Sequence, residues 1–255
     1  MKKPAIFLVL IVLASFCAGS QAYGHNFWLL VSDDAPKAGE PVMVEIGWGH
    51  KFPKDEQIKE GRLGVIRALG PDGQEVPLKK LSITQYELVP PAKGVYLIAA
   101  QVAPDFLTKT KDGFKLQSKK GVTDAVSCFR FDMATKTFVN AGGQKPGLAG
   151  SADSSLEIMP LKNPLTQKKG DTFPLRVMFQ GKPLAGAEVK VTHDNWPDPQ
   201  KPFASIGKTD AKGEIRVELK QPGRWLIVTS HKTPYEPPDE CDEHYYTASL
   251  TFRVR

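Results

Sequence analysis

Five histidines carry the most compact chemistry in this chain, since imidazole is both a metal ligand and a proton carrier near neutral pH. His25 stands just after an apolar N-terminal stretch and directly before Asn26-Phe-Trp-Leu29, and His50 follows the run 41–48 through Gly49. If residues 27–31 and 41–48 pair antiparallel, the start of the first and the end of the second lie at one end, and the two rings meet there. A histidine at a processed N-terminus offers its α-amino group as well as its ring. With His50 it makes a three-nitrogen set suited to copper, nickel or zinc, and Glu56 is an oxygen donor close by. The plainer alternative is that His25 marks where export ends and His50 caps a turn.

A second set is His231, Cys241 and His244, interleaved with Asp239, Glu240, Asp242 and Glu243 and expected on one acidic loop over 232–245. The spacing Cys241-Asp-Glu-His244 is compatible with chelation, and carboxylates suit harder divalent ions. The competing reading makes the acids a solvated loop face and Cys241 half of a disulfide with Cys128, the other cysteine left after export, in an oxidising compartment. Pairing is the expectation; two free thiols would return Cys241 to the ligand set. His193 joins this set only if a further short strand lies inside 194–203; without it, the end of strand 187–193 lies opposite the end of strand 224–230. All five histidines are expected at element ends.

The elements that must position these groups are strands. Runs at 27–31, 41–48, 63–69, 75–81, 83–89 and 95–102 are separated by turn residues such as Gly70-Pro-Asp-Gly73 and Pro90-Pro-Ala-Lys-Gly94. A second series falls at 173–179, 187–193, 204–209, 214–219, 224–230 and 246–254, with Asp210-Ala-Lys-Gly213 as a hairpin turn and Pro222-Gly223 launching a strand. Between the series, 106–121 is lysine-rich without alternation, and Val122, Val126, Phe129 and Met133 recur at helical spacing, which predicts a short helix. The pattern predicts an all-β chain of two antiparallel sandwiches, Ig-like or transthyretin-like, over 25–142 and 156–255, joined by a Gly-, Pro- and Ser-rich linker at 143–155.

Lys2, Lys3, the apolar run 5–16, which is too short to span a bilayer, and the small residues Ala18 to Ala22 read as a signal peptide over 1–24. Cleavage after Ala22 or Gly24 is expected, the second making His25 the N-terminus, and the mature protein is expected in the periplasm or otherwise exported. Phe16 before Cys17 argues against lipidation. The formal charge of +6 loses two lysines with the signal, leaving a mature chain nearer +4 with interspersed charges, which gives no nucleic-acid face.

Taken together, His25 with Asn26-Phe-Trp-Leu29, Gly49-His-Lys-Phe-Pro-Lys-Asp-Glu56, Leu156-Glu-Ile-Met-Pro-Leu-Lys-Asn-Pro164, Gly181-Lys-Pro-Leu-Ala-Gly-Ala-Glu-Val189, Thr209-Asp-Ala-Lys-Gly213, Pro222-Gly-Arg-Trp225 and Tyr246-Thr-Ala-Ser-Leu-Thr-Phe252 give the chain a family likeness. It resembles an uncharacterised family of exported two-domain bacterial proteins once named as nickel-transport subunits. The resemblance implies a periplasmic protein handling a divalent transition metal, nickel or cobalt first and copper or zinc next, with an uptake transporter in the membrane as partner. No Gly-x-Ser-x-Gly, phosphate-cradling glycine loop or His-Glu-x-x-His occurs, so a non-enzyme is expected. Two other classes stay open: a non-catalytic adhesion or scaffold module, and a copper oxygenase built on an N-terminal histidine.

Overall fold

The computed structural model describes residues 24–143, 152–198 and 200–255; all but the last residue of the expected signal peptide over 1–24 and most of the expected linker (144–151) lie outside them. The first half contributes β1 (Asn26–Val31), β2 (Val42–Gly49), β3 (Leu63–Leu69), β4 (Glu75–Val76), β5 (Leu78–Lys80), β6 (Gln85–Leu88), β7 (Val95–Val102), β8 (Asp105–Thr110), β9 (Gly113–Lys115) and β10 (Ala125–Asn140). The second contributes β11 (Leu156–Pro160), β12 (Thr172–Phe179), β13 (Lys182–Pro183), β14 (Glu188–His193), β15 (Ser205–Lys208), β16 (Glu214–Glu218), β17 (Gly223–Pro234) and β18 (Glu243–Val254). Among the described residues there is no α-helix, only a 3-10 turn at Pro164–Thr166 capped by the Asn163 side chain. The all-β expectation holds.

A ten-stranded sheet ordered β15-β14-β17-β18-β10-β7-β3-β4, with β8 and β9 branching from β10, runs through both halves of the chain. Strand β7 shows how it works. Its odd residues Val95 and Leu97 pack into a core shared with β12, β17 and β18, while its even residues Tyr96, Ile98, Ala100 and Val102 pack into a second core with β1, β2 and β6. Because side chains alternate across a strand, the sheet is a middle wall with a core on each face. The sheet β1-β2-β6-β5 covers one face and the sheet β11-β12-β13 with β16 covers the other. The two cores therefore share one sheet.

Two expectations fail here. The segment read as helical from Val122, Val126, Phe129 and Met133 is mostly strand β10, and that strand pairs parallel with β18, Phe129 opposite Glu243 through Lys136 opposite Leu250. The sandwiches are therefore not purely antiparallel. The helical spacing misled because Phe129, Phe131 and Met133 alternate onto one core as a strand does, while Val126 lies in a bulge and is exposed, which puts it out of phase with them. Pairing partners on both sides, β8 and β18, decided the conformation.

Strand β1, which carries His25 at its head, is fixed by three devices. It pairs with β2 through the register Asn26 to Gly49 and Val31 to Val44. On its other side the hydroxyls of Ser249 and Thr251 donate to the carbonyls of Phe27 and Leu29, each at 2.5 Å, so β18 satisfies β1 without a ladder. Finally, the fully buried Trp28 lies across Gly47, its partner in β2, and packs toward Leu226, Val228 and Phe203. A Cβ at residue 47 would stand 1.8 Å from the Trp28 indole nitrogen. Gly47→Ala is thus expected to cost about 3 kcal/mol or more through overpacking. A chemical-denaturation midpoint within experimental error of the parent would contradict that packing role.

Candidate metal centre

The β1–β2 register brings the first histidine pair together. Asn26 faces Gly49 and Phe27 faces Trp48, so the next step of the same antiparallel ladder sets His25 against His50. Their ring centroids are 4.4 Å apart, and the His25 ring also stacks on Trp48 at 5.1 Å with an interplanar angle of 15°. Trp48 and His50 are two residues apart along β2 and its exit, so the tryptophan forms a floor beneath the His25 ring.

The loop after β2 supplies the carboxylate. Gly49 adopts φ +130°, and a Cβ there would meet Asp55 Oδ2 at 2.5 Å, so glycine is needed on both counts. Asp55 Oδ2 accepts the amides of His50 at 2.7 Å and Lys51 at 3.1 Å, and those bonds, the His50 amide foremost, hold its carboxyl below the usual aspartate range. The loop then returns: the Glu56 amide donates to the Trp48 carbonyl, an isolated bridge that seats Glu56 beside the end of β2. Both Glu56 oxygens lie 3.1 Å from His25 Nε2.

One donor atom from each of His25, His50 and Glu56 lies within 4.8 Å of the others, the one such group of three among the described residues. Ligands at the ~2.0–2.2 Å bond lengths of zinc-type sites sit about 3–4 Å apart on one ion. The three side chains are half-buried or exposed, so small rotations suffice to close the difference. A cleft of about 670 Å³ adjoins the group, with His25, Lys190, Phe203, His231 and Tyr245 in its walls.

The second set is not assembled. His231 is interior to β17, opposite Tyr246, and packs on Phe179 with centroids 4.5 Å apart; His244 is in β18, 3.9 Å from the Tyr246 ring, its Nδ1 2.7 Å from the Tyr246 hydroxyl. The loop between those strands is shorter than 232–245 suggested, because β17 continues to Pro234 and β18 begins at Glu243. Cys241 is buried and bonded to Cys128, with their Cα atoms 5.0 Å apart, so its sulfur is no ligand in this state. His231 therefore breaks the expectation that every histidine ends an element. Burial holds His231 and His244 below the ordinary histidine range, Arg130 adding to the effect at His244 against Asp132.

His193 faces Trp225 at the start of β17, the end away from His231, and no strand lies in the described part of 194–203. It is buried against Trp225 at 5.0 Å, and desolvation keeps it neutral further into acid. Trp48 and Asp55 are contributors that residue types alone did not single out. The signal for Asp55 was its place six residues after Gly49 in a short loop, which is an acceptor set against newly released strand amides.

Asp55→Asn is expected to loosen this loop and to weaken metal binding by about tenfold without unfolding the protein. Because the folded carboxyl is held low, its stabilising bonds are present above the unfolded pKa of aspartate and are lost as pH falls through the folded value. Circular dichroism and metal titration on the same sample check both parts; unchanged affinity would detach the loop from the site.

The chain is similar to the D0–D1 domain of intimin at 18% identity, with 89% of this chain and 97% of that one covered and a TM-score of 0.23. It is similar to fibronectin(III)-like modules of Clostridium thermocellum CbhA at 8% identity, covering 89% and 94% with a TM-score of 0.21, and to trypsin-activated α-2-macroglobulin from Escherichia coli at 14%, covering 91% and 16% with a TM-score of 0.25. Identities this low carry no functional residue across. No curated protein matches the sequence. Residues 22–233 match the family model for a domain of unknown function, DUF4198, and the chain belongs to that family.

Proposed function

We propose that this protein is an exported carrier or sensor of one divalent transition metal, held by His25, His50 and Glu56, and acting as an accessory to uptake of nickel or cobalt by a membrane transporter. The observation that carries the reading is the convergence of two imidazoles and a carboxylate from three separate chain positions within 4.8 Å. Imidazole with one carboxylate suits zinc, copper, nickel and cobalt alike, and the nickel or cobalt preference rests on the family resemblance. The exposure of the three groups suits exchange with a partner better than permanent storage.

If the signal is cut after Gly24, the α-amino group of His25 joins the donor set. Calorimetric titration of the mature protein with nickel, cobalt, copper and zinc is expected to show one site per chain. Absence of saturable binding for all four metals would end the metal reading and leave a β-sandwich scaffold module. Copper-dependent oxygen consumption with a reductant would move the site to oxygenase chemistry.

A further inference from the structure

The three most exposed large apolar residues of the described chain are Phe114, Val126 and Leu116, at 61%, 60% and 59% exposure. All three fall on one local structure, the β8–β9 hairpin and the beginning of β10. Strand β8 lies between β10 and β9, with Lys109 opposite Ser127 on one side and Phe114 on the other. Its neighbours Thr108 and Thr110 are buried, so Lys109, Phe114 and, two residues on, Leu116 share the solvent side. Val126 sits in the β10 bulge between Ala125 and Ser127, about two strand spacings or roughly 10 Å from Phe114.

The same segment is basic. Residues 109–120 contain Lys109, Lys111, Lys115, Lys119 and Lys120 against the single acid Asp112. Lys115 pairs with Asp124, Lys119 with Asp242 and Lys120 with Asp239, while Lys109 and Lys111 take no ion pair among the described residues. Lys119 also donates its amide to the Glu240 carbonyl and Cys241 is bonded to Cys128, so the base of the hairpin is fastened to the β17–β18 loop. A hairpin fastened at its base thus shows aromatic and aliphatic side chains to solvent beside Lys109 and Lys111.

We propose that this tip docks the protein on an anionic lipid surface, Phe114, Leu116 and Val126 entering the headgroup boundary and Lys109 and Lys111 meeting phosphate. Strand β9 pairs with β8 alone among the described residues, so the apolar patch lies at an outer edge of the sheet. A second copy would set Lys109 and Lys111, the two lysines of this segment without an ion pair among the described residues, against their like, which electrostatics disfavours. Membrane surface attraction is additive over lysines near the surface and short in range, and apolar insertion adds to it.

The test is co-sedimentation of the full mature chain with phosphatidylcholine vesicles, with and without a quarter phosphatidylglycerol. Partition is expected only with the anionic lipid and is expected to fall steeply with added salt. Phe114→Ser with Leu116→Ser, and separately Lys109→Glu with Lys111→Glu, should each reduce partition by about tenfold or more while circular dichroism stays that of the parent. Equal binding to both vesicle types, or undiminished binding of both variants, would overturn the proposal. Sedimentation as a dimer that the Phe114→Ser, Leu116→Ser variant makes monomeric would assign the patch to a second copy instead.

Discussion

Replacing His50 by alanine is expected to weaken binding of a divalent transition metal by about a hundredfold or more, since loss of a direct ligand should cost at least the upper end of what second-shell changes cost. The fold should survive, because His50 is exposed at the exit of β2 and buries no core surface. His25→Ala should be at least as damaging, as it removes a ring that stacks on Trp48 and contacts Glu56. If cleavage after Gly24 frees the α-amino group of His25, an N-terminus extended by a few residues separates the contributions, since it leaves both rings in place and moves that amine away. Equal affinity in the mature, extended and His50→Ala proteins, read by calorimetry, would exclude this site. Since bound metal competes with protons for neutral imidazoles and a carboxylate, affinity should fall as pH is lowered.

The other large effect is expected from the disulfide. Cys128 and Cys241 are 113 residues apart in sequence and both are buried, so replacing the pair by serine releases a long loop in the unfolded chain. The chain-entropy model puts the cost at about 4–5 kcal/mol, lowered by any residual structure in the unfolded ensemble. The loss should appear as a shift of the denaturation midpoint with metal affinity unchanged, because neither cysteine is part of the His25 group. A shift below about 1 kcal/mol would show that the packing around the bridge does its work instead. Those surroundings are polar: Asp242 accepts the Cys128 amide at 2.7 Å and is bonded to Lys119, which chiefly holds its carboxyl low. That contribution is present above the unfolded aspartate pKa and is lost as pH falls through the folded value.

What the sequence determined by itself was local. Alternation, turn residues and β-branched runs located most strands, since a half-buried strand writes its period of two into the chain and Gly, Pro and Asp mark its ends. The His25–His50 meeting was legible because it needed only one hairpin register, which two neighbouring strands and their turn set between them. Tertiary structure decided the rest. Residues 122–133 read as helical until β8 and β18 supplied ladders on the two sides of the first part of β10, and a parallel partner more than a hundred residues away leaves no local signal. His231, Cys241 and His244 looked like one loop because sequence proximity was all there was to go on. Extension of β17 to Pro234 and of β18 from Glu243, a pairing energy summed over the whole ladder, turned the two histidines into packed aromatic neighbours of Tyr246. The sharing of one sheet by two cores was also beyond reach, because each strand's pattern reports that a face is buried and not what buries it.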